Sequence, residues 1–230
     1  MPELPEVETI RRGLENQIVN KKIKDIWIEP TFKKKISPSM GKFLEFLKGK
    51  RFKAIERKAK LLIFKITNDD FVLVHLKMTG QLVYQPVKGK LIVGGHPIDN
   101  IEKLPNKFTR VIFYFSDKSM LFYNDVRKFG YLKLVDKYEK QKAVDRFGVE
   151  PIEKDFTFEY FNQVLNKRPR QMIKTILLDQ KDISGFGNIY VDETCFVSGV
   201  RPQRRAKTLT QKERKLLFKN SIKIIQKAIK

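Results

Sequence analysis

Hydrophobic side chains recur every three or four positions at the start of the chain, at Val7, Ile10, Leu14 and Ile18. This spacing predicts an amphipathic helix over residues 5–18. Pro5 suits the first turn of that helix, because a backbone N–H at this position would have no partner. Apolar runs rich in β-branched and aromatic residues follow, and they predict strands at 23–28, 52–55, 61–66, 71–76, 111–115, 120–123 and 131–135.

A short helix and several turns interrupt these strands. Residues 42–47 have a helical pattern that stops at Gly49. Polar turn residues at 68–70 and 116–118 predict hairpin connections between strands. Residues 88–105 contain three glycines and two prolines with few strand signals, so we expect a surface loop there.

The pattern changes near Asp136. Residues 136–157 are highly charged and contain Gly148 and Pro151, which suits a linker. Helical spacing of apolar residues follows at 158–166, 171–178, 189–198 and 211–229. The chain therefore divides into an N-terminal helix with a β-rich domain over 1–135, the linker, and a helical domain over 158–230.

The composition of the chain gives it a strong positive charge. The 230 residues include 48 Lys and Arg against 26 Asp and Glu, a formal charge of +22 spread along the whole chain. Such a charge repels itself unless a polyanion compensates it, so nucleic acid is the favoured partner. The alternative is a lysine-rich proteome in which Lys is the default surface residue. No apolar run reaches the ~18 residues of a membrane-spanning helix, so we expect no membrane partner and a cytoplasmic location.

Residues that could bind a metal or form a disulfide are scarce. Cys195 is the single cysteine, and His75 and His96 are the two histidines. A disulfide within the chain is therefore excluded, and four Cys or His ligands for a zinc ion cannot be assembled. We expect neither a metal ion nor another cofactor.

The first residues, Met1, Pro2 and Glu3, lie directly ahead of the predicted helix. If Met1 is removed, Pro2 carries a secondary amine that can attack an electrophilic sugar carbon and form an iminium ion. A carboxylate such as Glu3 beside that amine can carry protons to and from the sugar. The alternative is that Pro2 and Pro5 only stiffen the terminus.

Six stretches of the sequence carry a specific combined pattern: PELPEVET at 2–9, RKAKLL at 57–62, HLKMTG at 75–80, DVRKFG at 125–130, GVEP at 148–151, and LLDQ at 177–180 with GFGNIYVDE at 185–193. In this order they resemble the formamidopyrimidine-DNA glycosylase family over nearly the whole chain. The resemblance implies an α+β fold, in which an N-terminal helix packs on a β-sandwich domain and a helical helix–two-turn–helix domain follows.

The resemblance also implies a reaction in two stages. Pro2 attacks C1′ of the damaged nucleotide and expels the base, and the iminium ion then acidifies C2′ so that β- and δ-elimination cleave the strand. Glu3 is the implied acid and base, Glu6 belongs to the same catalytic group, and Lys60 assists and holds a phosphate. The alternative for Lys60 is a solvated charge at a strand edge.

The same resemblance implies residues that contact DNA. A base in a duplex must leave the stack before such chemistry, and the gap must be filled. By resemblance Met78 and Arg127 fill the gap, while Phe129 kinks the duplex. Judged without the family, Met78 and Phe129 would be expected in a hydrophobic core.

Three further DNA contacts are implied at Asn188, His75 and Arg168, with Arg170 as a weaker candidate. The glycines of 185–187 would let a phosphate approach the backbone N–H groups at a helix start. Asn188 is expected to cap that helix, to donate to the phosphate, or to do both. His75 lies within an apolar strand and is equally well explained as a core histidine.

The chain departs from the family pattern in two places. The family normally continues with a loop that covers the extruded base and a four-cysteine zinc finger, whereas this sequence stops at Lys230. Phe108 stands where the family usually has a histidine that contacts DNA. These differences concern lesion specificity and δ-elimination, and they leave Pro2, Glu3 and Lys60 in place.

We therefore predict a monomeric DNA glycosylase with AP lyase activity, which removes 8-oxoguanine and formamidopyrimidines from double-stranded DNA. One alternative is a non-catalytic damaged-DNA-binding protein that retains the fold. Another is a basic RNA- or ribosome-associated protein, which would explain the charge but not the terminal motif.

Overall fold

The computed structural model describes residues 1–95 and 103–229 of the chain. The chain falls into two units, each with its own hydrophobic core. The first comprises Met1–Pro2 and Glu6–Lys142, and the second comprises Glu3–Pro5 and Ala143–Lys230. The second unit thus includes three N-terminal residues that the sequence assigned to the first domain.

The first unit is a β-sandwich with helices. Within the described residues, its strands form two five-stranded sheets, ordered β1-β8-β9-β6-β7 and β2-β10-β5-β4-β3. Neighbouring strands are antiparallel, except for the parallel pair β2 and β10. The elements are α1 Leu4–Ile18, β1 Ile23–Ile28, β2 Ile36–Ser37, α2 Met40–Leu47, β3 Ala54–Lys58, β4 Leu61–Lys65, β5 Asp70–His75, β6 Gly80–Gln85, β7 Ile92–Gly95, β8 Thr109–Phe115, β9 Met120–Asp125 and β10 Tyr131–Asp136.

One hydrophobic core joins both sheets to α1. The apolar positions of α1 that predicted the helix, Val7, Ile10, Leu14 and Ile18, are all buried in it. Phe52 contacts Phe64 of one sheet and both Phe113 and Phe115 of the other, with ring centroids 5.3–6.1 Å apart. Aromatic edge contacts of this kind add to the burial of apolar area.

The sequence-based prediction lacks three strands of the first unit, β2, β6 and β7, of which β2 has only two residues. The sequence did not predict β6, whose residues Leu82, Val83 and Tyr84 are all buried, so the usual alternation of apolar and polar residues is absent. The predicted loop 88–105 contains β7, while its residues 96–102 lie outside the described part of the chain. A glycine occupies position 94 of β7 because a Cβ atom there would lie 2.3 Å from Ile10.

The second unit is helical, and its helices agree with the predicted segments. Phe186, Leu177 and Leu217 are among the residues of its core. Thr157 caps the first of these helices by accepting the N–H of Tyr160 at 3.1 Å. The helices are α4 Phe158–Lys167, α5 Ile173–Leu178, α6 Asn188–Val197 and α7 Gln211–Ile229.

The segment predicted as a linker, residues 136–157, includes a further helix, α3 Lys137–Val144. It has no buried residues, which agrees with the charged sequence that suggested a linker. No helix in residues 1–95 or 103–229 combines the length and hydrophobicity needed to cross a membrane.

We predict that Phe52→Ala destabilises the β-sandwich by about 3–5 kcal/mol, since it removes a fully buried ring that contacts both sheets. Tyr138→Ala is the matched control, because that ring is 74% exposed and should change stability by less than about 0.5 kcal/mol. Equilibrium urea unfolding measures both values. Equal effects of the two substitutions would contradict the role of Phe52 between the sheets.

Candidate active site

Three short loops lie at one end of the β-sandwich. In one sheet, His75 at the end of β5 pairs with the first residues of β4 and of β10. In the other sheet, the first residue of β6 pairs with Asp125, the last residue of β9. These registers bring the turn at 59–60 and the loops at 76–79 and 126–130 to the same end of the unit. The loops carry Lys60, Met78, Arg127 and Phe129.

Met78, Arg127 and Phe129 form one exposed group, which we call the wedge cluster. The Arg127 guanidinium lies 3.2 Å from the Met78 sulfur and 4.6 Å from the centre of the Phe129 ring. Met78 is 43% exposed and Phe129 is 46% exposed, so neither belongs to the core that the sequence alone would have suggested. Two apolar side chains and a guanidinium on a protein surface suit insertion between stacked bases.

A buried carboxylate, Asp125, holds the backbone beneath the wedge cluster. Its oxygens accept the Thr79 hydroxyl, the N–H of Arg127 at 3.2 Å and the N–H of Gly130 at 2.8 Å. Because Thr79 follows Met78, one carboxylate fixes both loops that carry the cluster. Gly130 is required at its position, since a Cβ atom there would lie 1.7 Å from the Tyr123 hydroxyl.

Lys60 is buried and His75 is partly buried, both close to the wedge cluster's end of the unit. Lys60 is only 8% exposed, so it is not the solvated charge at a strand edge that the sequence also allowed. Burial, together with the positive charges of Lys77 and Lys60, lowers the pKa of His75 to about 3. His75 is therefore neutral at physiological pH, and its Nδ1 accepts the N–H of Lys77 at 3.0 Å.

The other catalytic candidates of the first unit are at the start of the chain. Pro2 is buried, and Met1 ahead of it is 45% exposed. Glu6 lies in the first turn of α1 and is half-buried. An acidic residue is favourable there because the helix N-terminus carries partial positive charge.

Glu3 belongs to the second unit and caps helix α6. Glu3 is only 2% exposed. Its carboxylate accepts the N–H of Gly187 at 2.6 Å and the N–H of Ile189 at 3.1 Å. The N–H of the next residue, Leu4, donates to the carbonyl of Gly185 at 3.1 Å. A carboxylate at a helix start is stabilised by both the hydrogen bonds and the helix dipole.

The structure corrects the expected role of the 185–187 glycines. Their N–H groups are already used, because Glu3 takes that of Gly187 and the side chain of Gln180 takes that of Gly185 at 2.9 Å. The glycines instead make room for the chain itself. A Cβ atom at Gly187 would lie 2.3 Å from the Glu3 carboxyl group, and one at Gly185 would lie 2.3 Å from Leu4.

Asn188 is likewise not the cap of α6. The cap residue is Gly187, which has no capping side chain, and Asn188 is the first residue of the helix. The Asn188 side chain is exposed. Its contact with a DNA phosphate stays a prediction.

Arg168 lies at the end of α4 and is held by two carboxylates. Its guanidinium contacts Asp179 at 2.6 Å and Asp182 at 2.7 Å. The hydrogen bond with Asp179 raises the pKa of Arg168, so the side chain stays charged. Arg170 is exposed. A contact of either arginine with DNA is still untested.

Sequence reasoning missed the residues that hold the functional loops, above all Asp125 and Gln180. Both lie within stretches that carried the family pattern, but no role was assigned to them. An Asp at the start of a loop that contains glycine is a known signal for side-chain hydrogen bonds to the loop backbone. That signal was available at Asp125 and would have identified it.

No metal centre is evident in the part of the chain that the structure describes. Within residues 1–95 and 103–229, no three His, Cys, Asp or Glu side chains converge as metal ligands would. His96 lies outside these ranges. Cys195 is buried, and burial raises the pKa of its thiol to about 11.

Both halves of the chain match known domains. Residues 1–132 match the formamidopyrimidine-DNA glycosylase N-terminal domain, and residues 147–230 match the H2TH domain of the same proteins. Curated formamidopyrimidine-DNA glycosylases are similar over nearly the whole chain. The protein of Ligilactobacillus salivarius is 42% identical over 97% of this chain and 75% of its own length, and that of Shouchella clausii is 39% identical over 100% and 78%.

Solved structures give the same result. Lactococcus lactis Fpg in complex with DNA containing an abasic site has a TM-score of 0.85 and 33% identity, covering 99% of this chain and 78% of that one. A variant of the same protein in complex with DNA containing Fapy-dG has the same TM-score, identity and coverage.

Fold and comparisons together define a class of enzyme, the DNA glycosylases of base-excision repair. Within that class, the chain belongs to the formamidopyrimidine-DNA glycosylase family, whose members combine glycosylase and AP lyase activities.

The low pKa of His75 predicts a specific dependence of stability on pH. An unfolded chain binds a proton at His75 below pH ~6.5, whereas the folded chain does so only near pH 3. Stability should therefore fall as the pH drops between these values, by up to about 1.4 kcal/mol per pH unit from this group.

Urea unfolding between pH 4 and pH 7 tests this prediction, with His75→Asn as the comparison because Asn keeps an acceptor for the N–H of Lys77. The variant should lose that part of the pH dependence. Identical pH profiles of the two proteins would contradict a neutral His75 in the folded protein.

Proposed function

We propose that this chain removes oxidised purines, 8-oxoguanine and formamidopyrimidines, from double-stranded DNA and cleaves the strand through a Schiff base on Pro2. The observation that carries the proposal is Glu3, a buried carboxylate fixed by the N–H groups of Gly187 and Ile189 and joined directly to Pro2 in the chain. A carboxylate held beside an amine nucleophile is placed for proton transfer.

The reaction begins at the N-terminal amine. With Met1 attached, the Pro2 nitrogen is an amide and has no nucleophilic lone pair, so the active protein begins at Pro2. The neutral amine attacks C1′ of the damaged nucleotide, the C1′–N bond to the base breaks, and the base leaves with a proton. The C1′–O4′ bond of the sugar then breaks, O4′ takes up a proton from Glu3 acting as the acid, and the product is a ring-opened iminium ion between Pro2 and C1′.

Glu3 then acts on the sugar. The iminium ion withdraws electrons and acidifies the C2′ hydrogen, and the Glu3 carboxylate accepts that proton. The resulting electron pair expels the 3′ phosphate in β-elimination, and a second elimination releases the 5′ phosphate. Glu6 shares in the proton transfers, and the Lys60 ammonium group holds a phosphate near the sugar.

The wedge cluster prepares the substrate. We propose that Met78 and Arg127 fill the space left by the extruded base and that Phe129 kinks the duplex. Their contact with one another and their exposure at one end of the β-sandwich support this role. The net charge of +22 supports binding to the DNA backbone, to which His75, Asn188, Arg168 and Arg170 are further proposed contacts.

The chain is expected to act as a monomer in the cytoplasm, where bacterial relatives meet chromosomal DNA. A non-catalytic damaged-DNA-binding protein is not favoured, because the relatives are named as glycosylases. A protein that only binds lesions would also have no use for a nucleophilic amine at Pro2.

Borohydride trapping tests the proposal. Protein that begins at Pro2 should form a covalent adduct with duplex DNA containing 8-oxoguanine or an abasic site, because borohydride reduces the iminium ion. The matched control is the same chain with Met1 retained, verified by intact mass. This control should bind DNA but give no adduct, and equal trapping by both forms would rule out Pro2 as the nucleophile.

Arg127→Ala should weaken base extrusion, because the gap in the stack then costs a few kcal/mol that nothing offsets. Lys128→Ala is the matched control, since Lys128 has the same charge but contacts Glu29 and Thr31 instead of the cluster. A fluorescent base analogue opposite the lesion reports extrusion. Unchanged extrusion in Arg127→Ala would remove this residue from the wedge role.

A further inference from the structure

Glu8, on the second turn of α1, is a buried carboxylate surrounded by arginines. It is 7% exposed and lies 2.9 Å from the Nε of Arg12, 3.0 Å from an Nη of Arg11 and 2.9 Å from the Nε of Arg57. Burial alone would raise the pKa of Glu8, but the hydrogen bonds from these arginines outweigh it and lower the pKa to about 2. Glu8 is therefore charged throughout the physiological range.

Arg57 connects this carboxylate to the turn that carries Lys60. The Arg57 side chain is 7% exposed, and its Nη1 donates to the carbonyl of Ala59 at 2.9 Å while its Nε donates to Glu8. Arg57 pairs with Leu62 across the β3–β4 hairpin, so Ala59 and Lys60 are the two residues of the turn.

The turn has a backbone conformation that needs support. Ala59 has a φ of 52°, in the left-handed region that residues with a side chain rarely adopt. It is also completely buried, so its carbonyl requires a partner within the protein. A hydrogen bond from Arg57 supplies that partner and favours this one conformation of the turn.

We propose that Arg57, oriented by Glu8, is a positioning residue that fixes the 59–60 turn and thereby the ammonium group of Lys60. This inference rests on the proposed catalytic role of Lys60. The guanidinium suits the task because its rigid planar fork donates to the carboxylate and to the carbonyl from separate nitrogens in fixed directions, whereas the three donors of a lysine rotate about a single nitrogen. Neither Glu8 nor Arg57 touches the reacting atoms in this scheme.

The test uses two variants of the chain that begins at Pro2, Glu8→Gln and Arg57→Lys. The first removes the charge that orients Arg57, and the second keeps a positive charge but loses the fork. Each should slow single-turnover cleavage of a preformed abasic site by about 10- to 100-fold, since small displacements of a reacting group have effects of this size. Affinity for DNA with an unreactive tetrahydrofuran site should stay within about two-fold of the original value.

Glu15→Gln is the matched control. Glu15 lies on the same helix and contacts Arg11, but it is half-exposed and does not contact Arg57. This variant should cleave the abasic site at the original rate. A slow Glu15→Gln protein would mean that any loss of charge on α1 is damaging, and it would overturn the specific role of Glu8.

A Lys60→Ala background separates positioning from a general loss of structure. If Glu8 and Arg57 act through Lys60, adding Glu8→Gln or Arg57→Lys to Lys60→Ala should slow cleavage no further. The same factor in both backgrounds would overturn the proposal, because it would show an effect independent of Lys60. If Glu8→Gln does not fold, Arg57→Lys tests the proposal by the same criterion, measured alone and in the Lys60→Ala background.

Failure of the inference and failure of the proposed function give different results. If Lys60→Ala is slow while Glu8→Gln and Arg57→Lys cleave at the original rate, the inference is wrong and the function stands. If the original protein gives no borohydride adduct, or if Lys60→Ala cleaves normally, the proposed function or the role of Lys60 is wrong.

Discussion

Two backbone N–H groups at the start of α6 hold the carboxylate of Glu3, and much of the local sequence follows from that contact. A buried carboxylate without partners would be strongly unfavourable, so its hydrogen bonds fix where the chain terminus can lie. They also require glycine at 187, where any side chain would collide with the carboxyl group. The nucleophile that we propose, Pro2, is the residue directly before Glu3 in the chain.

The sequence predicted most of the helices and strands because their apolar spacing is regular. It missed β2, which has only two residues, and it missed β6 and β7, where a second physical requirement overrides the spacing. In β6, side chains on both faces are buried, and the polar Gln81 is buried with them through a hydrogen bond from Asn124. In β7, glycine replaces an apolar residue because Ile10 of α1 approaches the backbone too closely for a side chain.

The site residues were predicted from the family pattern, because the hydrophobicity of the sequence alone does not identify them. Met78 and Phe129 are apolar, so hydrophobicity alone places them inside the protein, yet each is more than 40% exposed. The backbone of the loop that carries Phe129 is held by hydrogen bonds to the buried carboxylate of Asp125. Asp125 contacts residues 46 positions earlier in the chain, at Thr79, and no local pattern encodes that distance.

The positively charged side chains of the chain divide into two kinds, those that are buried with a carboxylate partner and those that are exposed. Arg57 and Arg110, each with a side chain only 7% exposed, have the same arrangement of partners. Arg57 contacts Glu8 and the carbonyl of Ala59, while Arg110 contacts Glu29 and donates to the carbonyl of Asp125 at 2.8 Å.

In both cases a carboxylate balances the charge, buried at Glu8 and partly buried at Glu29, and another nitrogen of the guanidinium holds the backbone of a loop at the functional end of the β-sandwich. Because internal carboxylates neutralise these two cations, they are not available to a phosphate. Attraction to DNA then comes from the exposed lysines and arginines, whereas Arg57 and Arg110 set the geometry of the loops that DNA would meet.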